Sequence, residues 1–475
     1  MLRAFVKELI VLSAVCLLVT GEAGAQLRKK KPAQPKLLTP PPQTATVVAP
    51  AASAAPPAAE KPPEAKWYES VKITGMVRLR PEIKENFNFD ADQRYNFVGQ
   101  KVWLSAEKEF SDKSKLVITL QDARVWGGQS PTITDTSTEQ QATDIREAYV
   151  QLKNFLWTPF ELKLGRQKLE FGEQMLIGSL DWANVGRSFD GFKLTLDSGI
   201  NNLQVFSTVI QESNSNDLNN PVSGTNKHTQ GMYLSGFYNQ LKLHRGFMID
   251  LFGFARNQDM DGHSNQLYTG GMRLSNRTEA GNKSPGDMWF DYSLEGAYQG
   301  GQRQGKEIQA YGAVGFIGVK FNLGVKMRIG GQGAYASGDT DANDGKYETF
   351  DPLYPTPHYQ FGFADMTSWR NLTGGGADYT IWFTPDLSLK LDYWYAMRTT
   401  GSDSWYAIGG SANASTALGG ERELYQEADV MVNYKPRDYL MFQAGYAYAM
   451  RGKAMNLANK SGDYQFGYLM STFVF

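Results

Sequence analysis

The chain of 475 residues has almost no cysteine or histidine: one cysteine, Cys16, and four histidines. A disulfide framework is excluded, since Cys16 lies in an N-terminal segment that reads as a cleaved leader. His228, His244, His263 and His358 fall in expected loops or turns. No Ser, His and acid set and no metal-ligand spacing accompanies them, which argues against an enzyme. A Gly-rich phosphate loop and a basic helix are missing too, and with them the signs of nucleotide or nucleic-acid binding. Charge of neither sign dominates, with 48 Lys and Arg against 49 Asp and Glu, so bulk charge selects no partner. Beyond the leader, no apolar run approaches the roughly 20 residues that a membrane helix needs.

What is present begins with that leader. Arg3 and Lys7 precede the apolar stretch from Leu9 to Thr20, and Ala23-Gly24-Ala25 before Gln26 is a small-x-small cleavage site, so residues 1–25 read as a signal peptide. A lipoprotein reading is disfavoured because Val15, not a small residue, precedes Cys16. Residues 26–66 are rich in Pro and Ala, with Pro40-Pro41-Pro42, Pro56-Pro57 and Pro62-Pro63. That composition cannot bury a core and reads as a disordered, extended periplasmic linker.

Residues 67–475 are expected to form one all-β unit. In Val71 to Arg80, Val71, Ile73, Val77 and Leu79 alternate with Lys72, Thr74, Arg78 and Arg80, and the same period of two recurs in Leu323 to Gln332 and Leu387 to Arg398. Aromatics are abundant, with Tyr 24, Phe 26 and Trp 10, yet the mean hydropathy is only −0.42. Transmembrane barrels combine these properties, because only alternate positions face lipid and aromatics collect at the two interfaces. Short turns such as Thr384-Pro385-Asp386 and Lys435-Pro436-Arg437-Asp438 alternate with long connections such as Phe171 to Gly186, Ser337 to Thr373 and Thr400 to Glu421. The alternation predicts a single antiparallel transmembrane β-barrel of about eighteen strands in a bacterial outer membrane, ending on Phe475.

Parity then assigns side chains. Arg78, Arg80, Lys101, Arg187, Lys193, Lys326, Arg328, Lys390 and Arg398 are expected to point into the lumen, as are Glu107, Glu147, Asp392, Glu427 and Asp429. Arg166 shares parity with Leu162 and Leu164. It turns inward if Gly165 makes a bulge, and otherwise sits at the outer end of its strand. Cations inside a barrel either pair with carboxylates across strands or face a solute path. Asp339, Asp341 and Asn343 lie at nearly calcium-loop spacing, but Gly345 is one place late and Phe350 stands where the twelfth-position Glu belongs, so a Gly/Asp turn is the competing reading. The apolar content of Ser337 to Thr373, with Phe350, Phe361 and Trp369, suits either a constriction folded into the mouth or an external cap.

Several blocks together resemble the alginate-export family of outer-membrane barrels: Gln121 to Gly127, Arg146-Glu147-Ala148-Tyr149-Val150, and the stretch carrying Gly165, Arg166, Gln167, Gly172, Asp181, Trp182, Arg187, Phe189 and Asp190. The segment from Ser337 to Asp341 running on to Phe350-Asp351-Pro352-Leu353-Tyr354-Pro355-Thr356-Pro357-His358 belongs with them. The resemblance covers about Val71 to Phe475 and departs at Pro357, where a Gly is expected before His358. It implies an eighteen-stranded barrel whose lumen passes an anionic polysaccharide or other small solutes. A polyuronate path needs fixed cations, and Arg suits it because its planar fork engages a carboxylate with two hydrogen bonds. The expected surroundings and partners are outer-membrane lipid and an anionic saccharide or small anions. No cofactor and no nucleic acid are expected, the chain is read as a monomer, and no periplasmic partner can be named. The rival readings are a general diffusion porin and a loop-plugged structural or adhesive barrel.

Overall fold

The computed structural model describes residues 67–126, 141–211, 231–244, 246–260, 263–277, 288–358, 360–413, 420–458 and 460–475. The signal peptide and linker read in residues 1–66, and His228, lie outside the described residues.

Eighteen strands form the barrel. They are β1 (Val71–Glu85), β2 (Arg94–Ser111), β3 (Ser114–Val125), β4 (Gln141–Leu152), β5 (Glu161–Gln167), β6 (Phe189–Asp197), β7 (Asn201–Gln211), β8 (Met232–His244) and β9 (Phe247–Met260). The second half comprises β10 (His263–Ser275), β11 (Met288–Arg303), β12 (Lys306–Asn322), β13 (Lys326–Ala336), β14 (Leu372–Thr384), β15 (Leu387–Arg398), β16 (Glu423–Arg437), β17 (Leu440–Arg451) and β18 (Tyr464–Val474). Each is antiparallel to its neighbours, and β1 pairs with β18 to close the sheet, Met76 opposite Val474 and Glu85 opposite Gln465. Closure leaves no edge strand, which a sheet in lipid requires. The terminal residue takes part, since Gly75 and Phe475 exchange backbone hydrogen bonds of 2.8 and 3.0 Å. A side chain at Gly75 would collide with the Phe475 ring, its Cβ falling 2.3 Å from the ring.

The period of two sets the faces. On β11, Phe290, Leu294 and Tyr298 are exposed on the outer surface, whereas Asp291, Ser293, Glu295 and Gln299 are buried inside. Lipid covers the first set in the membrane, and the second set finds polar partners in the lumen. Connections at one end are mostly tight. At the other end two hairpins depart from the expected long loops: Met260 pairs with His263, and Arg303 with Lys306. The second uses Gln304 at φ 50° and Gly305 at φ 82°, the paired positive φ of a two-residue turn that matches the strand twist.

Loops fold inward from the long-loop end. Phe171, in the connection 168–188, stacks on Tyr238 at 4.9 Å between ring centres and lies 5.3 Å from Phe206. Burying such a ring is worth roughly 1.5–3 kcal/mol, so the aromatic nest on β7 to β9 holds the loop inside. The connection 337–371 also enters, with Phe350, Phe361 and Trp369 buried and the Trp369 indole donating to the Tyr335 carbonyl at 3.0 Å. Of the two sequence readings of this loop, the fold shows the inward one. One buried apolar cluster runs through both loops and the inner faces of the wall.

Candidate functional site

The two inward loops clasp one another. Gly178 N donates to the Tyr354 carbonyl and Tyr354 N to the Leu176 carbonyl, both at 2.9 Å, making a parallel bridge between Ile177 and Tyr354. Arg187 fixes the bridge from the side: its Nη1 donates to the carbonyls of Tyr354 at 2.6 Å, Pro355 at 2.9 Å and Gly178 at 3.2 Å. Burial brings this guanidinium down to about 10, and it stays charged at neutral pH. The Trp182 ring stacks on His358 at 3.5 Å and 6°. His358 Nδ1 lies 2.7 Å from Asp365 Oδ2. Burial pushes the imidazole down and the carboxyl up, so this pair carries no net charge where it seats the loop.

Beneath the clasp, one stretch of wall gathers cations against the connection 168–188. Lys101 Nζ donates to the Asp181 carbonyl at 2.9 Å, while Arg146 and Lys168 reach the Asp181 carboxylate at 2.7 and 3.1 Å. Three cations thus converge on one acidic residue. Burial raises the Asp181 carboxyl, but Lys168, Arg146 and Lys101 outweigh it and hold the group below its usual value. From β1, Arg78 donates to the carbonyls of Asp181 and Ala183 and to Asn184 Oδ1, and Arg80 donates to the Trp182 carbonyl and to Glu82.

The opposite wall is organised by pairs. Arg328 forks onto Asp291 at 2.8 and 2.9 Å and also bonds Asp378. Arg273 binds Asp250 at 2.6 Å and Lys390 binds Asp392 at 2.8 Å. Glu427 accepts Ala364 N at 2.8 Å and so anchors the second loop. Among the residues named here, five cations face two carboxylates beside β1, β2 and β4, whereas three cations face five carboxylates on the other strands, so charge is polarised across the lumen.

The other residues singled out in the sequence take varied places. Lys193 donates to Gln204 at 3.0 Å and stands opposite Lys163. Lys326 is exposed at the short-turn end, and Arg398 is buried against the carbonyls of Gly401, Asp403 and Glu421. Arg166 does not enter the lumen. Strand β5 pairs with β4 without a register shift, so Gly165 makes no bulge, and Arg166 stays on the outer face with exposed Leu164, paired with Asp190 at 2.8 Å. Gly165 has another task, because at φ 123° a Cβ there would lie 2.2 Å from the Ala148 carbonyl. Around Asp339 the calcium pattern resolves into a turn in which Asp341 Oδ1 accepts Asn343 N at 3.0 Å. Among the described residues no three His, Cys, Asp or Glu gather as a metal site.

Arg146 was missed by parity. Residues Ala148 and Val150 put even positions outward, but the register shifts between Thr119 and Leu120, where Glu147 and then Ile145 are the partners, and the extra residue turns Arg146 inward. The signal was present: Ile145 is apolar on the odd parity while Ala148 and Val150 are apolar on the even one. Arg256 and Arg370, which share Asp351 at 2.6 and 2.7 Å, gave no comparable sign, because Asp351 is 95 residues from Arg256 and lies in the same irregular connection as Arg370.

A closed eighteen-stranded sheet, apolar outside and charged and loop-threaded inside, defines an outer-membrane β-barrel channel of bacteria. The chain belongs to the alginate export family, whose profile matches residues 70–467. A comparison with curated proteins gives no match. Among solved structures it is similar to OccD3 (OpdP) of Pseudomonas aeruginosa, at TM-score 0.55 and 14% identity over 86% of this chain and 91% of that one. It is also similar to OpdK of the same organism, solved with vanillate, at TM-score 0.56 and 14% identity over 86% of this chain and 100% of that one. OccK2 (OpdF) in complex with glucuronate matches at TM-score 0.53 and 11% identity, over 86% and 98% of the two chains. At these identities the likeness is one of fold.

Proposed function

We propose that the channel conducts anionic saccharide, alginate-like in chemistry, or small anionic solutes along its cation-rich wall. The observation that carries this reading is the convergence of Lys101, Arg146 and Lys168 on the single acidic residue Asp181. A passing carboxylate exchanges with the Asp181 carboxylate for Arg146 and Lys168, Lys101 adds its charge from the Asp181 carbonyl, and the low-dielectric wall concentrates the field on the solute. The clasped loops are the constriction, and they yield as solute passes. The fold likeness to a barrel solved with glucuronate supports a uronate as the solute class. Residues 1–25 act as the signal peptide and 26–66 as a Pro/Ala-rich periplasmic linker of a monomeric barrel. The aromatic seating of both loops favours one second reading, a barrel that its loops keep shut.

Single-channel current through the refolded chain separates these readings. Oligouronate of four to six sugars is expected to block the current in a concentration-dependent manner, and a neutral oligosaccharide of equal length is not. Current without block indicates a general diffusion porin. Absence of current indicates the plugged barrel.

A further inference from the structure

A second concave site opens at the long-loop end of the barrel, away from the clasp. It lies between the ends of β9 to β12 and the connection 337–371, and its volume is about 260 Å³. Two of its guanidiniums, Arg256 and Arg370, share the one carboxylate of Asp351. Burial acts to raise that carboxyl, yet Arg370 and Arg256 hold it below its usual value, so it stays ionised. The third, Arg303, has no carboxylate partner among the described residues; it lies over the Tyr347 ring at 4.3 Å. Three cations against one anion leave the lining with a net charge of +2, counted over the residues that form it.

Most of the remaining lining is amide, with Leu267 and Ile308 as its apolar part. Gln258, Asn265 and Gln302 each bring a donor and an acceptor to it. Gln299 is already committed, exchanging hydrogen bonds with the Asp351 backbone at 2.5 and 2.8 Å, and so holds the loop against the wall. Residues Lys346 and Tyr347 bridge in parallel to Glu307 and Ile308, which fixes the aromatic ring beside the free guanidinium. Several amides and a guanidinium fork with no carboxylate partner among the described residues suit a ring bearing hydroxyls and one carboxylate. The volume is below the roughly 300 Å³ at which drug-sized pockets begin, which limits the ligand to about one or two sugar rings.

We infer that this pocket is an outer subsite for a uronic-acid residue, in which Arg303, held on the Tyr347 ring, takes the carboxylate and the amides take hydroxyls. The inference rests on the anionic-saccharide reading of the channel but places the solute at the mouth, apart from the constriction. The test is calorimetric titration of the refolded full chain in detergent with a diuronate, beside a neutral disaccharide, for the natural chain and for Arg303→Gln and Arg303→Lys. Binding of diuronate over the neutral sugar is expected, with at least a fivefold loss in Arg303→Gln and a smaller loss in Arg303→Lys. Arg303 is exposed and touches the connection 337–371 through the Tyr347 ring without a hydrogen bond among the described residues, so retention of the heat-resistant folded band on a gel is expected for both variants. Equal affinity in Arg303→Gln, or equal binding of the neutral disaccharide, overturns the subsite. Titration reads the pocket whether or not current flows. A subsite that fails while oligouronate still blocks leaves the channel reading standing, and missing block with intact diuronate binding overturns the channel reading alone.

Discussion

Replacing Arg187 with alanine is expected to raise the single-channel conductance several-fold and to add rapid open–closed noise. One guanidinium nitrogen serves three carbonyls across the two loops, and two of those, Tyr354 and Pro355, belong to the partner loop. A hydrogen bond from a charged donor contributes about 1.5–3 kcal/mol, and its loss leaves buried carbonyls unsatisfied. An equilibrium changes tenfold for about 1.4 kcal/mol, so the population with loops apart rises by roughly one to two orders of magnitude. The Trp182–His358 stack and the Phe171 nest remain, so the barrel itself stays folded. Arg187→Lys keeps the charge but cannot span the same set of carbonyls, and an intermediate conductance is expected. Planar-bilayer recording of the three proteins reads the effect. Identical conductance in all of them means that the clasp does not limit the path.

The second large effect is on stability. Arg328→Ala is expected to cost about 3–5 kcal/mol, the range for removing one partner of a buried ionic network. The side chain lies across β11, β13 and β14, forked on Asp291 and bonded to Asp378, in a slot that Gly318 and Gly330 leave open. Without it, two carboxylates face each other in the lumen, with Arg277, 3.8 Å from Asp291, and Lys320 left beside them. The urea midpoint of unfolding in lipid vesicles, followed by tryptophan fluorescence, is expected to fall accordingly. Adding Asp291→Asn and Asp378→Asn to the alanine variant removes the uncompensated charges and is expected to recover most of the loss, a coupling that additive effects would not produce. An unchanged midpoint in Arg328→Ala shows that the network contributes no net stability.

Period two in the sequence made the wall legible, because lipid and lumen impose opposite chemistry on alternate residues. The approximate strand count followed from alternating turn lengths, although the hairpin at Gln304-Gly305 shows that an outer connection can also be tight. What each inward cation touches was not legible. Arg78 meets carbonyls more than 100 residues away, on a loop whose path no local periodicity records. Apolar rings at Phe350, Phe361 and Trp369 signalled that the long loop had something to bury, without saying against which face. Arg146 depended on a bulge that shifts the register by one residue, and Arg166 on the lack of one. The blocks that carried the family resemblance are now understood physically: Gln167 donates to the carbonyls of Gly165 and Gly191, while Asp181, Trp182 and Arg187 seat and clasp the loop.

We propose that one cation-rich wall makes the path anion-selective. The zero-current potential of the refolded chain, in a planar bilayer under a tenfold KCl gradient, tests it most directly. A potential displaced toward the chloride equilibrium value is expected, and a smaller displacement when Lys101→Gln and Lys168→Gln are combined, since the glutamines keep donor groups but not charge. A potential near zero, or one displaced toward the potassium value, contradicts it.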